Sequence, residues 1–323
     1  MKILHDIHNH SVLSSCCEDF SATTENFVKK EMDMGMRTYG LSNHIWDESI
    51  KGASNWYSYQ TIAKAREAKT ALKYIPHDGL KCLFGAETEY YGCYDKLGMS
   101  REGAKNFEYL LVPFSHTHMV NFVMSEYPEI TEMRRELLAK AKEAWQFLDE
   151  KDIENIFNGM NWRTVKKYLP EIKTDSVDYS VKTLIRNSRS LVENEDFRQL
   201  CRVMPVSVAH PYALCGTTTE ERQKVLRAIS HEDYRRFYKE VKKLGAYVEI
   251  NVSSVLEAGE ELETNPHLDH FRIAKEEGCQ FTFGTDAHST HWLENIRIGD
   301  RISELLELKR NDIADYLQDS VIE

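Results

Sequence analysis

The sequence predicts an α/β fold, a distorted seven-stranded (β/α)7 barrel of the TIM-barrel kind with a helical insertion between strands four and five. Three features lead there. Short apolar runs alternate with helical stretches, glycines mark several of the junctions between them, and each apolar run ends in polar residues suited to ligand or metal chemistry.

The junctions come first. The helix-like stretch Thr24–Met34 meets Gly35, Tyr234–Leu244 meets Gly245, and Phe271–Glu277 meets Gly278; each is followed by a short apolar or β-branched run. Glycine just past a helix enters the left-handed conformation without a Cβ penalty, so each junction reads as a helix stop and a strand start. Phe237, Val241 and Leu244 keep helical spacing in the second case, and the pattern then changes to that of a strand. Seven strands result: Lys2–Ile7, Thr38–Ser42, Lys81–Ala86, Tyr109–Phe114, Met204–Ala209, Ala246–Ile250 and Gln280–Gly284. Short apolar strands alternating with helices imply parallel pairing buried on both faces. Right-handed crossovers then gather all the strand C-termini on one rim, where barrels of this kind carry their sites.

A chain of 323 residues suffices for one large domain, residues 1–323, and no interdomain linker is apparent. Residues 120–203 read as a mostly helical insertion, with Met133, Leu137, Ala141, Ala144, Trp145 and Leu148 on one stripe of Thr131–Leu148. A second insertion, Trp46–Gly79, opens with Trp46, Trp56, Tyr57 and Tyr59 and continues as the helix-like Ile62–Tyr74. The seven cysteines form no C-x-x-C pair, which suits neither a disulfide framework nor a zinc ribbon. Together with a charged N-terminus and no long apolar run, they imply a soluble, cytoplasmic protein with no membrane partner. The net charge of −11 argues against general affinity for nucleic acid or anionic lipid.

The strand ends carry the chemistry. In order they offer His8-Asn9-His10, Asn43-His44, Glu87-Thr88-Glu89, His116-Thr117-His118, His210-Pro211-Tyr212, Glu249-Ile250-Asn251 and Asp286-Ala287-His288. Residues i and i+2 of an extended chain point to the same face, so each doublet directs two ligands toward one ion. Imidazoles mixed with carboxylates suit zinc, manganese or iron better than magnesium or calcium. A metal site on the rim follows from the joint pattern, since seven of the thirteen histidines fall at strand ends. His5, His77, His231, His267 and His270 lie outside the pattern and read as solvated, while His291 lies nearer the rim. Cys16 and Cys17 lack partner spacing and read as packing or outer-shell residues.

These motifs resemble the polymerase and histidinol phosphatase (PHP) family. The resemblance is carried by His8-Asn9-His10-Ser11, Ser42-Asn43-His44, Gly85-Ala86-Glu87, Ser115-His116-Thr117-His118, Ala209-His210-Pro211 and Gly284-Thr285-Asp286-Ala287-His288, over residues 1 to about 300. It implies a distorted seven-stranded barrel holding two or three divalent metals (Zn, Mn or Fe), with phosphoesterase activity. Carried over residue by residue, it assigns His8, His10, Glu87 and Asp286 to one ion, with Glu87 bridging. A second ion falls to His44 and His288, and a third to His210 with His116 or His118. The family supplies another ligand a few residues after the first H-x-H. Here that stretch reads Ser14-Ser15-Cys16-Cys17-Glu18-Asp19, which leaves Glu18 and Asp19 as its candidates.

The chemistry so implied is hydrolysis of a small phosphate monoester by metal-activated water, with histidinol phosphate as one specific substrate. Asp286, His288 or His118 would move the proton. Asn251 would contact the substrate, and Arg163 and Arg297, with Arg186 and Arg189, are the candidate phosphate donors. The competing readings are a nuclease or phosphodiesterase, an amidohydrolase-like C–N hydrolase, and a metal-retaining regulatory protein without turnover.

Overall fold

The fold is a nearly closed barrel of seven parallel strands ringed by helices. It is seen in a computed structural model that describes residues 1–53, 56–92, 95–117, 128–158 and 177–323. The barrel strands are β1 (His5–Asp6), β2 (Thr38–Leu41), β3 (Lys81–Thr88), β4 (Tyr109–Val112), β5 (Val206–Val208), β6 (Tyr247–Asn251) and β7 (Phe281–Gly284). They lie side by side in chain order, every neighbour pair parallel. Each expected strand is present, most of them shorter than the apolar run that announced it. β6 keeps its five residues, shifted by one, and β3 runs two residues further, which brings Glu87 inside the strand.

Closure is made by β1 and β7. The Ile7 amide donates to the Phe283 carbonyl (3.1 Å), Asp286 to His8 (2.8 Å) and His10 to Ala287 (2.9 Å). The buried Asp6 carboxyl accepts from the Thr285 amide (3.0 Å) and hydroxyl (2.6 Å), tying the closing motif to the first strand. Beyond the barrel, the short strand Lys2–Ile3 pairs antiparallel with Val321–Ile322. Gly35, Gly245 and Gly278 all have positive φ (73°, 71° and 76°), as expected of residues that stop helices.

The helix Thr24–Asp33 is capped by the Thr23 side chain, and Thr61 caps Ile62–Leu72 in the same way. Between β4 and β5 the described residues form the helices Pro128–Ala144, Glu150–Asn158, Val177–Glu193 and Glu195–Cys201. On the expected stripe Leu137 is buried, whereas Ala144 is exposed. Among the described residues no helix is long and apolar enough to cross a membrane.

Three histidines read as solvated are buried instead: His5, His267 and His270. Each is held by hydrogen bonds that offset its desolvation. His5 Nε2 accepts from the Phe283 amide (3.2 Å), which leaves Nδ1–H to donate to Ser320 Oγ (3.0 Å). His267 Nδ1 pairs with His270 Nε2 (2.9 Å), and His270 Nδ1 with the Tyr238 hydroxyl (2.7 Å). His77 is half-buried and His231 exposed.

Burial pulls His5 down to a pKa of about 3, against a hydrogen bond donated to the Ser320 backbone that acts upward. The unfolded chain therefore binds a proton at pH values where the folded His5 does not. Its contribution to stability is complete above the unfolded pKa and is lost as pH falls through the window between the two values. In metal-free protein, the stability advantage of wild type over His5→Gln is predicted to shrink by about 1.4 kcal/mol per pH unit below 6.5. Urea denaturation of both proteins from pH 7 to pH 5 checks this, and a constant difference would contradict it.

Candidate metal centre

Strand register brings the ligand types together. A short strand, His44–Ile45, runs parallel to the end of β3 with His44 opposite Glu87. β1 leads into His8 and His10, β5 into His210, and β7 into Asp286 and His288. Two of these residues sit in a backbone conformation that non-glycine residues rarely adopt, His210 (φ 27°) and Asp286 (φ 56°). Such geometry costs about 1–3 kcal/mol and persists only where the surroundings enforce it, most often at functional sites.

Glu87 is the hub. Its Oε2 lies 3.2 Å from His8 Nε2, 3.2 Å from His10 Nε2 and 3.2 Å from His44 Nδ1, and its Oε1 lies 3.0 Å from His210 Nε2. Asp286 Oδ1 completes the cluster at 3.0 Å from His10 Nε2 and 3.6 Å from His8 Nε2. Glu87, His8 and His10 are fully buried or nearly so. Among the described residues four overlapping groups have donor atoms within 4.8 Å of one another: His8, His10 and Glu87; His8, His210 and Asp286; Glu87, His116 and His210; and His10, Cys16 and His288.

The hydrogen-bond chemistry fits cations. His8 Nδ1 faces Glu249 Oε1 at 2.7 Å and must donate its proton there, because a carboxylate only accepts. Neutral His8 then presents a bare Nε2 lone pair to His10 Nε2 (3.0 Å) and to two carboxylates. Lone pairs and carboxylate oxygens facing one another require a positive charge between them. Without a metal, protons take that place. Burial pushes the His8 and His10 imidazoles down, but Glu249, Asp286 and Glu87 around His8, and Cys16, Asp286 and Glu87 around His10, raise both well above the usual range. Burial raises Glu87 and Asp286, and the facing imidazoles outweigh it and hold both carboxyls well below their usual range.

Outer carboxylates orient the clustered imidazoles. Glu249 on β6 reads in sequence as an ordinary strand-end acid, yet it holds both His8 Nδ1 and the His210 amide (2.6 Å). Glu89 accepts from the Tyr57 hydroxyl (2.6 Å) and pairs with His116 Nδ1 (3.0 Å). Burial lowers His116, and Glu89 outweighs it, so the imidazole rises to about 9. The glycines of the motifs are spaces for neighbours. A Cβ on Gly284 would strike His8 Cβ and reach 2.5 Å from Glu249 Oε1, and one on Gly85 would enter the Tyr109 ring.

Several expected residues lie elsewhere. Glu18 is exposed, and Asp19 accepts from the Ser21 amide (2.8 Å) and hydroxyl (2.7 Å), so neither joins a donor cluster. Cys16 does: its thiol groups with His10 and His288. Burial raises that thiol, and the His10 and His44 imidazoles bring it well below its ordinary value. Position was the available signal, since Cys16 falls where the resemblance calls for a ligand after the first H-x-H. Asn251 Oδ1 caps the helix Val252–Glu257 through the Ser254 amide (2.9 Å), and its buried Nδ2 has no hydrogen-bond partner. Arg297 is exposed at the end of the turn Trp292–Arg297, and Arg189 lines a cleft of about 340 Å³ that includes none of the clustered histidines. His291 is exposed and pairs with Ser289. His118 and Arg163 lie outside the described residues.

No family model matches the chain, and no curated protein matches it in sequence. Solved structures do. A histidinol phosphate phosphatase from Lactococcus lactis subsp. lactis Il1403, complexed with zinc, L-histidinol and phosphate, aligns over 93% of each chain at 15% identity and a TM-score of 0.50. At this identity the likeness establishes a shared barrel fold. YwqE from Bacillus subtilis and CpsB from Streptococcus pneumoniae, described as metal-dependent tyrosine phosphatases, are represented by a structure at 14% identity. It covers 94% of this chain and 90% of that one at a TM-score of 0.42, too low to carry an argument.

Replacing Glu249 by Gln removes the charge that orients His8 and steadies the His210 turn. Metal affinity is predicted to fall by about 10- to 100-fold with the fold retained, as is usual when the partner of a ligating histidine is lost. Chelator competition measures the affinity and circular dichroism the fold; unchanged affinity would contradict this role for Glu249.

Proposed function

We propose that the protein is a metal-dependent hydrolase of the PHP type, a phosphatase acting on a small phosphate monoester. The observation that carries this reading is the buried Glu87 carboxylate set among His8, His10, His44 and His210 with Asp286 beside it. Support also comes from the barrel fold, which is shared with a histidinol phosphate phosphatase crystallised with zinc, L-histidinol and phosphate. Histidinol phosphate is accordingly the first substrate to test.

In this reading His8, His10, Glu87 and Asp286 hold one divalent ion, His44 and His288 a second, and His210 with His116 a third. Zinc, manganese or iron there would supply Lewis acidity toward phosphoryl oxygens and lower the pKa of water. The protein's own residues do the rest. The Asp286 side chain is about one-quarter exposed, whereas Glu87 is buried, so Asp286 is the group able to exchange a proton with solvent or substrate. His288 Nδ1 donates to the Asp286 carbonyl (2.8 Å), which fixes its tautomer and leaves Nε2 available. Glu249 and Glu89 keep His8 and His116 oriented through turnover. The net charge of −11 disfavours long polyanions, which leaves small phosphorylated metabolites as the substrate class.

Wild type and Asp286→Ala, reconstituted with manganese or zinc, are to be compared on phosphate monoesters including histidinol phosphate, on diesters and on amides. We expect phosphate release from monoesters by wild type and a fall of about 100-fold or more in kcat/KM for the variant. Equal rates for both proteins, or turnover confined to amides or diesters, would overturn the reading.

A further inference from the structure

We propose that Cys16 is a metal ligand, and that His10, Cys16 and His288 form a nitrogen–sulfur pocket that makes one ion site of the centre selective for thiophilic divalent metals. The proposal rests on the metal-centre reading above, adds the sulfur to it and regroups His10 with His288 at that ion. The donor atoms of these three residues lie within 4.8 Å of one another, a spread that one ion can span after a small contraction. A tetrahedral zinc with mixed nitrogen and sulfur ligands holds them roughly 3.5 Å apart.

The surroundings prepare the donors. His10 is fully buried, its ring stacks on His288 (centroids 4.7 Å) and on His44 (4.5 Å), and its Nδ1 has no hydrogen-bond partner. His288 has Nδ1 committed to the Asp286 carbonyl, which leaves its other nitrogen as the coordinating atom.

The two adjacent cysteines are sorted by the turn that carries them. Cys17 Sγ donates to the His288 carbonyl (3.1 Å), which ties the turn to the segment after β7. Ser14 anchors the other side, its hydroxyl 3.4 Å from the His44 amide and 3.2 Å from Cys16 Sγ. Cys17 is thus spent on holding the loop, and Cys16 faces the imidazoles. The carboxylates that would make this a hard oxygen site, Glu18 and Asp19, are exposed or engaged by Ser21. Soft donors favour zinc, cadmium or cobalt(II) over manganese and magnesium. On binding, the S–H proton leaves to solvent and the ion meets a thiolate.

Cobalt(II) titration of metal-free protein tests this directly. Wild type and Cys17→Ser are expected to develop a sulfur-to-cobalt charge-transfer band in the near ultraviolet, and Cys16→Ser and Cys16→Asp to lack it. Visible ligand-field bands should show that all four proteins still bind cobalt, which also reports that the variants fold. Peptide mapping after alkylation gives a second readout, with zinc protecting Cys16 from iodoacetamide. Cobalt binding by wild type without the charge-transfer band, or a band that survives in Cys16→Ser, would overturn the sulfur ligand alone. Wild type that binds no cobalt would overturn the metal centre and the sulfur ligand together.

Discussion

A carboxylate removed from water and surrounded by imidazoles is the constraint around which this molecule is arranged. Glu87 is 1% exposed and meets nitrogen from four histidines contributed by β1, the strand beside β3, and β5. Burying such a charge costs several kcal/mol unless opposite charge and hydrogen bonds compensate it. The compensation comes from residues far apart in sequence, so the barrel must close correctly for the cluster to be tolerable at all. Closure and site are one problem, and the same amides that join β1 to β7 belong to His10 and Asp286.

Around that hub a second layer fixes orientation. Glu249 spans from His8 to the His210 backbone, and Glu89 links Tyr57 to His116. The small residues of the motifs serve the same end, because Gly284 leaves room for His8 and Glu249 where any side chain would push them apart. Rigid placement of this kind lets a site select an ion by geometry and donor type when raw affinity would not discriminate.

Much of this was legible in the sequence. Apolar runs, several of them preceded by a glycine, located all seven strands, because a buried parallel strand needs a continuous apolar stretch and a helix needs a left-handed stop. The period of two in His8-Asn9-His10 and Asp286-Ala287-His288 announced paired side chains at strand ends. Other features depend on register and closure, which local pattern does not encode. His5 reads as a polar surface residue until Ser320, 315 residues away, is seen to receive its proton. Glu249 gains its partner only because β6 lies beside β7 and β7 beside β1. Cys16 sits in a turn without periodicity, so spacing could not aim its thiol, and Glu18 and Asp19 looked better suited on chemistry alone.

The adjacency of β1 and β7 also bears on the order of events as the protein is made. His8 and His10 precede Asp286 and His288 by some 280 residues, so they are made well before the strand that seals them. Before β7 is present, β1 lacks the neighbour that closes the barrel and His10 lacks Asp286. The cluster of His8, His10 and Glu87 can therefore be enclosed only once β7 has been made.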